Sequence, residues 1–358
     1  MSEENYPVVF ADDVFGEDSS ALSELIDSLS AGEKPRILLV ADMNVVQRTE
    51  GLGTKIGRYL QRHEIAMAAS PIVVAGGEKS KCDNLQSAMQ IAATAVDSRI
   101  GRNDLVLVLG GGAVLDTACW ALSQVRGGMR VVRMPTTVSS MIAGAHSGFA
   151  SLNIRGVKDS MRVAAEPQAV VIDTRFATTV LDGVWRAGFA EALRLAEVCD
   201  GAATTRLLEL AEVFRTRDFG AMDEIVRMMT DVRRRCGATQ FGLWASARLE
   251  SMSDFKMPHG YAVAIGVAIN TIYAQLRGYI TEEECDKVCA ALESCGAMDC
   301  VDHSRRYIAD TQRLLLGLDA WRLSSGSEAI VLPKGLGGGI VEEKPDRETM
   351  KAALNMLK

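Results

Sequence analysis

The sequence predicts an α/β domain with a mostly parallel sheet, followed by a mainly helical domain. Short apolar runs without polar alternation recur through the first half of the chain, which is typical of strands that helices cover on both faces. Helical patterns separate these runs, and this alternation forms parallel βαβ units. Beyond Asp182 the pattern is almost wholly helical. We therefore expect two domains, at 1–175 and 176–358.

Each element of this prediction follows from an apolar run or a helical period. The predicted strands are 7–10, 36–41, 71–75, 105–109, 129–134 and 169–173. Helices are expected between consecutive strands up to the fifth, whereas the glycine-rich region before the sixth strand predicts no regular element. The predicted helices of the second domain are 183–198, 203–215, 223–235, 242–251, 259–276, 282–293 and 304–315, and a short apolar run at 328–333 precedes a terminal helix.

Composition and charge limit the classes of function. Of the 358 residues, 48% are hydrophobic and 24% are charged, as in globular proteins, and the formal net charge of −7 argues against a nucleic-acid partner. The basic run Arg233–Arg235 is short, and we interpret it as a solvated helix face. No apolar run reaches about 18 residues and no signal-peptide pattern is present, so we expect a cytoplasmic protein without a membrane span. The eight cysteines form no CxxC pair and are expected to be reduced thiols.

The stretch Leu105–Asp116, LVLVLGGGAVLD, combines a buried strand, three glycines and the start of a helix. We expect the glycines to adopt positive φ and to let a ligand approach the main chain. A helix beginning near Ala113 would direct its first amides and its positive dipole end to this spot, which suits a phosphate or pyrophosphate. Since ligands of parallel sheets bind beyond the carboxyl ends of the strands, we predict a Rossmann-like nucleotide-binding domain, although the GxGxxG spacing is absent.

Several further segments follow a fixed order around this loop. They are Asp42 with Asn44, GGEKSK at 76–81, PTT at 135–137, AGFAEAL at 187–193 and HGYAVAIG at 259–266. With this combination the chain resembles the dehydroquinate synthase-like superfamily, that is, the sugar-phosphate cyclases and their glycerol and alcohol dehydrogenase relatives. The GEKSK and AEAL segments favour the cyclase branch. The resemblance implies an NAD-binding α/β domain, an all-α substrate domain and, by analogy, a homodimer.

The resemblance implies NAD as the cofactor and a set of contacts at the strand ends. The implied contacts are Asp42, Asn44, Glu78, Lys81, Gly110, Gly111, Gly112, Asp116, Thr136, Thr137, Lys158 and Thr179. Asp42 and Asn44 would face the adenosine, Glu78 and Lys81 the ribose and adenine region, and the three glycines the pyrophosphate. The remaining residues would complete the site toward the nicotinamide. The alternative is a triple-glycine turn among ordinary polar loop residues.

The resemblance also implies a divalent metal held by one glutamate and two histidines, but the ligand set is incomplete here. Glu191 and His259 match two ligand positions, whereas Leu243 occupies the third and Ala247 the position of a further catalytic histidine. Because a metal site normally needs at least three protein ligands, two donors would bind zinc weakly. We therefore expect an active site that is poor in metal.

Other positions implied by the resemblance are also substituted. Ala143 replaces an aspartate that binds substrate, Phe149 a catalytic lysine, Asp159 an asparagine and Cys236 an arginine that binds phosphate. The cationic phosphate clamp is thus reduced. We expect the substrate to differ from the usual heptulose phosphate.

Four residues are the candidates for catalysis. Arg194 follows Glu191 by one helical turn, and our hypothesis is that its guanidinium replaces the charge of the metal. His146 is either an acid or base or a loop-turn residue. His259 is either a functional histidine or one that stabilises the start of a helix after Pro258.

These observations predict an NAD-dependent, lyase- or cyclase-like enzyme that acts on a small molecule. Two alternatives stay open. One is an NAD-dependent polyol or alcohol dehydrogenase of the same superfamily. The other is a non-catalytic NAD-binding protein that supports a partner such as an active paralogue.

Overall fold

The computed structural model describes residues 6–30, 32–299 and 301–357, except for the side chains of Lys79 and of residues 301–304. The chain divides into two compact units between Val180 and Leu181. The first unit contains the parallel sheet and the second is mainly helical, so the predicted fold class is confirmed.

A six-stranded parallel sheet forms the centre of the first unit. Its strands are β1 (Val8–Phe10), β2 (Ile37–Asp42), β3 (Ile72–Val74), β4 (Leu105–Gly110), β5 (Val131–Pro135) and, last in the chain, β8 (Ala169–Ile172). Their spatial order is β1-β8-β5-β4-β2-β3. Strands β2, β4, β5 and β8 are buried along their whole length, as their apolar runs predict, and the charged residue Arg133 within β5 is buried with them.

Helices and a separate hairpin complete the first unit. The helices are α1 (Ala21–Ser28), α2 (Met43–Arg48), α3 (Leu52–Arg62), α4 (Gln86–Asp97), α5 (Gly112–Ser123) and α6 (Val138–Ile142). The antiparallel hairpin consists of β6 (Phe149–Ile154) and β7 (Val157–Ala164). It lies in the region that predicted no regular element. Arg155 and Gly156 connect its strands with φ of 51° and 77°, the left-handed conformation that a tight hairpin turn requires.

The second unit is a helical bundle with a small hairpin. Its helices are α7 (Asp182–Ala196), α8 (Gly201–Arg215), α9 (Phe219–Cys236), α10 (Leu243–Met252), α11 (His259–Leu276), α12 (Glu282–Ser294), α13 (Val301–Ala309), α14 (Thr311–Ser325) and α15 (Arg347–Met356). The predicted helix 304–315 is in fact two helices, because Asp310 caps the start of α14. The antiparallel strands are β9 (Ile330–Pro333) and β10 (Gly339–Glu342), so this unit is not purely helical.

Helix α11 begins with His259, one of the candidate catalytic residues, and most of the helix is buried. It is apolar around its whole circumference and is buried from Ala262 to Ala274, as expected for a core helix. Helix α7 approaches it closely, since a Cβ atom on Gly260 would overlap with Ala187. Within the described ranges, no helix is both long and apolar enough to cross a membrane.

The contact between Gly260 and Ala187 gives a first prediction. Replacing Gly260 with alanine should destabilise the second unit by about 1–3 kcal/mol, because the added methyl group forces α7 and α11 apart. Ala187→Gly in the same chain should recover only a small part of this loss, because the added Cβ would also overlap with the Ala187 Cα atom. Urea denaturation of the single and double variants measures both effects.

Gly57→Ala is the matched control, because Gly57 is exposed on α3 and no atom lies within 4 Å of an added Cβ. This variant should be more stable than the parent by about 0.5–1 kcal/mol, the cost of a glycine in a helix. Equal losses in the Gly57 and Gly260 variants would contradict the proposed contact.

Candidate functional site

The carboxyl end of β2 brings together the first two predicted cofactor residues. Asp42 caps α2, and its Oδ1 accepts hydrogen bonds from the backbone nitrogen of Asn44 at 2.8 Å and from Asn44 Nδ2 at 3.1 Å. A Cβ atom on Gly76 would overlap with the Asp42 carboxylate. The loop after β3 can therefore approach Asp42 only because residue 76 has no side chain.

The three glycines after β4 allow close packing rather than an unusual backbone. The prediction of positive φ is wrong, since none of the three adopts it and Gly111 has φ of −71°. A Cβ atom on Gly110 would lie 2.7 Å from Val114 Cβ, and one on Gly111 would lie 3.1 Å from Thr137 Cγ2. Glycine is required there because neighbouring side chains fill the space.

Gly112 differs from its two neighbours, because no atom lies within 4 Å of an added Cβ. It is the first residue of α5, a helix of 12 residues. The first amides of a helix have no acceptor inside the helix, and the helix dipole is positive at this end. The open side of Gly112 therefore suits an anionic group.

The end of β5 adds two threonines to this region. The Thr136 backbone nitrogen donates to the Gly110 carbonyl oxygen at 3.1 Å. The side-chain oxygen Oγ1 of Thr136 is buried and has no hydrogen-bond partner among the described residues. Thr137 caps α6, where its hydroxyl accepts from the Ser140 nitrogen at 3.2 Å. A buried hydroxyl without a partner is uncommon in folded proteins and marks a place where a ligand atom can bond.

Lys81 is the centre of a second group of predicted cofactor residues. Its side chain is 2% exposed, and Nζ lies 2.7 Å from Asp116 Oδ2, 2.7 Å from Asp159 Oδ1 and 3.4 Å from Glu78 Oε1. Lys158 Nζ binds the same oxygen of Glu78 at 3.0 Å. Four of the predicted residues thus meet in one network of charges.

Ser151 and Asn153 of this network were not predicted, whereas Asp159 was noted only as a substituted position. All three belong to the β6–β7 hairpin. Ser151 Oγ lies 2.6 Å from Asp159 Oδ1, and Asn153 Nδ2 donates to Glu78 Oε1 at 2.9 Å. Asn153 Oδ1 accepts from the Asp159 nitrogen at 2.8 Å. Ser151 and Asn153 are two residues apart on β6 and therefore face the same side. This spacing was the available signal, but the strand itself was not recognised.

Charge and burial set the protonation states of the network. Burial would raise the pKa of Glu78, but Lys158 and Lys81 outweigh it and lower this pKa to about 2. Burial would likewise raise the pKa of Asp159, but its charged neighbours, mainly Lys81, outweigh burial and lower this pKa. Burial dominates at Asp116 and raises its pKa. Lys81 stays protonated, because its carboxylate partners outweigh burial and raise its pKa.

Thr179 and a surface cavity lie outside these two groups. Thr179 belongs to a 3₁₀ turn, where its hydroxyl donates to the Phe176 carbonyl oxygen at 2.8 Å. A cavity of about 480 Å³ is lined by other residues of the first unit, including Asp13, Lys55 and Arg58. None of the predicted cofactor residues lines that cavity, so we assign it no role.

His146 is buried, with 3% exposure, in the loop that follows α6. Its Nε2 lies 3.0 Å from the Met141 carbonyl oxygen, and Tyr6 donates to the His146 carbonyl oxygen at 3.4 Å. This geometry favours the loop-turn role over the acid–base role. The neighbouring Phe149 is 46% exposed, and the Arg162 guanidinium lies 4.0 Å from the centre of its ring.

In the second unit, Glu191 and Arg194 form a buried ion pair on α7. Their side chains are 5% and 6% exposed, and Arg194 Nε donates to Glu191 Oε1 at 3.1 Å, with a second bond from Nη2. Arg194 Nη1 also donates to the Thr239 carbonyl oxygen at 2.7 Å. Burial would raise the pKa of Glu191, but Arg194 outweighs it and holds this pKa below its usual value. The predicted pair is therefore present, and its carboxylate is ionised.

His259 pairs with a glutamate that was not among the candidates. Its Nδ1 lies 2.9 Å from Oε1 of Glu250, whose side chain is fully buried, while the imidazole is 40% exposed. The sequence signal was the spacing of nine residues between Glu250 and His259, but only the fold shows the contact. A buried carboxylate that orients an imidazole is a common acid–base arrangement.

The residues at the implied metal position do not fit a metal site. Glu191 is bound by Arg194, His259 is bound by Glu250, and Leu243 begins α10 without a donor atom. Among all described residues, no group of three or more His, Cys, Asp or Glu side chains could hold a metal ion.

The arginine run at the end of α9 is only partly the solvated face that we expected. Arg234 and Arg235 are exposed and pair with Asp231. Arg233 is 8% exposed, which makes the expectation wrong for this residue, and its charge helps to lower the pKa of Glu191. A second guanidinium therefore acts on the Glu191 carboxylate.

Residues 71–186 match the family described as 3-dehydroquinate synthase N-terminal, and residues 188–309 match 3-dehydroquinate synthase C-terminal. The chain belongs to the dehydroquinate synthase-like superfamily. The family resemblance of the sequence is confirmed.

Several similar proteins are synthases, as their names indicate. Demethyl-4-deoxygadusol synthase of Trichormus variabilis is 25% identical over 374 aligned residues, which cover 98% of this chain and 86% of the relative. The 3-dehydroquinate synthase of Pyrobaculum islandicum is 23% identical over 292 residues, which cover 76% of this chain and 84% of the relative. Among solved structures, a similar one is the 2-epi-5-epi-valiolone synthase ValA of Streptomyces hygroscopicus with NAD⁺ and Zn²⁺ bound. Its TM-score is 0.82 at 23% identity, and the match covers 100% of this chain and 98% of ValA.

The buried ion pair gives a second prediction. Arg194→Met should lower the free energy of unfolding by about 3–5 kcal/mol, because it leaves the Glu191 carboxylate buried without its partner. Adding Glu191→Gln should restore part of the loss, since both charges are then absent. Urea denaturation of the three proteins measures the difference.

Arg206→Met is the control, because Arg206 pairs with Glu209 and Glu224 on the exposed surface. Water can solvate these partners when the arginine is removed, so stability should change little. If Arg194→Met were no more destabilising than Arg206→Met, the buried pair would not exist in solution.

Proposed function

We propose that this chain is an NAD-dependent enzyme related to the sugar-phosphate cyclases, with a metal-poor active site and a substrate that differs from the usual heptulose phosphate. One observation carries the proposal. The two residues at the implied metal-ligand positions, Glu191 and His259, are paired with Arg194 and Glu250. The expected metal chemistry is thus replaced by a guanidinium and an oriented imidazole.

The first unit supports NAD binding. The open side of Gly112, the start of α5 and the unpartnered hydroxyl of Thr136 fit a pyrophosphate. Asp42, at the end of β2, suits a ribose hydroxyl. ValA, which shares the fold, has NAD⁺ bound. When bound, this cofactor supplies the acceptor and donor of a hydride.

His259 is the proposed acid and base. In the proposed arrangement, Nδ1 of His259 donates to Glu250 Oε1, which leaves Nε2 as the basic nitrogen. Nε2 would take a proton from a substrate hydroxyl, and the Glu250 carboxylate would stabilise the imidazolium that forms. The exposed part of the ring makes this proton transfer accessible to a small molecule.

Arg194 is the proposed replacement for the metal charge. Its position is fixed by Glu191 and by the Thr239 carbonyl oxygen, so the charge needs no mobile ion. A guanidinium can stabilise developing negative charge on an oxygen through directed hydrogen bonds. The family's phosphate clamp is reduced at Cys236 and Phe149, which supports a substrate with less negative charge.

A non-catalytic NAD-binding protein is the second candidate. The mutual neutralisation of Glu191 and Arg194 favours it, because groups that bind each other are less available to a substrate. A homodimer, a partner such as an active paralogue and a cytoplasmic location remain predictions.

The third prediction tests the chemistry. Protein purified without added metal should contain far less than one zinc per chain. With a panel of polyols and sugar phosphates, NADH absorbance during single turnovers should report hydride transfer that chelators do not abolish. His259→Asn should reduce the rate by about 10²–10⁴-fold, the usual contribution of a general acid or base.

Two outcomes would overturn this proposal. Stoichiometric zinc would show that the ligand set is complete in solution. NAD binding without turnover on any substrate of the panel would favour the non-catalytic candidate. Glu250→Gln is the accompanying variant, because it keeps the shape of the residue but removes the charge that stabilises the imidazolium.

The fourth prediction tests the cofactor site alone. Gly112→Ala should weaken NAD binding about tenfold or more, which corresponds to about 1.4 kcal/mol, because its methyl group enters the open space. Stability should not fall, since no protein atom is close and alanine replaces a glycine within a helix. Calorimetric titration with NAD and thermal unfolding measure the two effects.

Gly110→Ala is the matched variant of the same loop. Its Cβ would lie 2.7 Å from Val114 Cβ, so this substitution should lower stability even without NAD. Unchanged NAD affinity in a folded Gly112→Ala protein would place the dinucleotide elsewhere.

A further inference from the structure

Cys199 and Cys236 form a thiol pair that the proposed function does not use. Cys236 Sγ lies 3.7 Å from the Cys199 carbonyl oxygen, although the two residues are 37 positions apart in sequence. Besides burial, the neighbouring Cys236 thiol raises the pKa of the Cys199 thiol, so the two side chains are close enough to interact. Both side chains are half-buried, and both cysteines are free thiols. Packing of α7 against α9 brings them together, since Cys199 follows α7 and Cys236 ends α9.

The segment after Cys236 is connected to the buried ion pair. Gly237 follows with φ of 76°, and Thr239, two residues further on, accepts a hydrogen bond from Arg194 at 2.7 Å. A covalent change at Cys236 therefore acts on the backbone that holds the Arg194 guanidinium.

We propose that Cys199 and Cys236 are a redox modification site, at which hydrogen peroxide forms a reversible intramolecular disulfide. The proposal is independent of the reaction that the enzyme catalyses. It requires only that the two neighbouring thiols can meet and that a small oxidant reaches these half-buried side chains.

The chemistry balances with one peroxide per disulfide. The Cys236 thiolate attacks one peroxide oxygen, the O–O bond breaks, hydroxide leaves and Cys236 becomes a sulfenic acid. The Cys199 sulfur then attacks the sulfur of Cys236, and the S–O bond breaks. The second oxygen leaves as water with the proton of Cys199. In total, two thiols are oxidised to a disulfide and the peroxide is reduced to two water molecules.

The environment distinguishes the two sulfur atoms. Burial raises the pKa of the Cys199 thiol to about 11, although Arg194 and Arg233 partly oppose this effect. Because the thiolate is the reactive form, we assign the first attack to Cys236. Cys199 then acts as the resolving thiol.

Cys285 and Cys289 provide an internal comparison, because their thiols also interact and Cys289 lowers the pKa of Cys285. They lie one turn apart on the single helix α12. In that arrangement the Cβ atoms are about 5–6 Å apart, whereas a disulfide needs about 3.5–4.5 Å. Contact alone should therefore not lead to a disulfide at this second pair.

The test treats the folded, full-length chain with hydrogen peroxide and maps its peptides without reduction. The wild-type protein should lose two free thiols and the mass of two hydrogen atoms, and dithiothreitol should restore both. A peptide pair joined through Cys199 and Cys236 should appear. The variants Cys199→Ser and Cys236→Ser should lack this peptide pair, whereas Cys285→Ser with Cys289→Ser should behave as the wild type.

Three results would overturn the proposal. One is a sulfinic acid at Cys236 with Cys199 still free, and another is a disulfide that joins two chains on a non-reducing gel. The third is the joined peptide appearing only in denaturant. If Cys236→Ser folds poorly, Cys236→Ala serves instead, and thermal unfolding of each reduced variant confirms that the fold is kept.

Discussion

Glu191 and Arg194 are both buried within one turn of α7, and an unpaired charge in that position would destabilise the fold by several kcal/mol. The pair therefore constrains its surroundings. Arg194 needs further acceptors for its remaining hydrogen atoms, and the chain between α9 and α10 supplies the Thr239 carbonyl oxygen. The course of this connection thus depends on the ion pair. The same dependence links the Cys199–Cys236 pair to Arg194.

A similar constraint organises the first unit, where Lys81 is surrounded by carboxylates. A buried lysine keeps its charge only with close anionic partners, and Asp116 and Asp159 each provide one at 2.7 Å. The β6–β7 hairpin is held to this network through Ser151 and Asn153. Lys81 therefore fixes the carboxylates and is too deeply buried to be the group that a ligand meets first.

The sequence was sufficient for the sheet, because short apolar runs without polar alternation, separated by helical periods, are typical of strands that helices cover on both faces. It was insufficient for the hairpin, where small residues and exposed positions hide the period of a strand. We expected positive φ at the glycines after β4, but the requirement is steric. Gly110 and Gly111 have no room for a side chain, because Val114 and Thr137 fill the space beside them. Such a steric requirement depends on neighbours that only the fold brings close.

The candidate residues of the helical unit show the same limit. Arg233 could have been recognised as buried, because it lies on the α9 face of Val226 and Met229 at helical spacing. The role of Glu250 could not, since a spacing of nine residues does not specify a contact between two different helices. Whether Glu191 and His259 bind a metal likewise depends on the partners that occupy them. Those partners are Arg194 and Glu250, and a guanidinium offers fixed charge and hydrogen bonds but no exchangeable coordination position. The chemistry that we propose for these residues is therefore proton transfer at a hydroxyl, with stabilisation of negative charge on its oxygen.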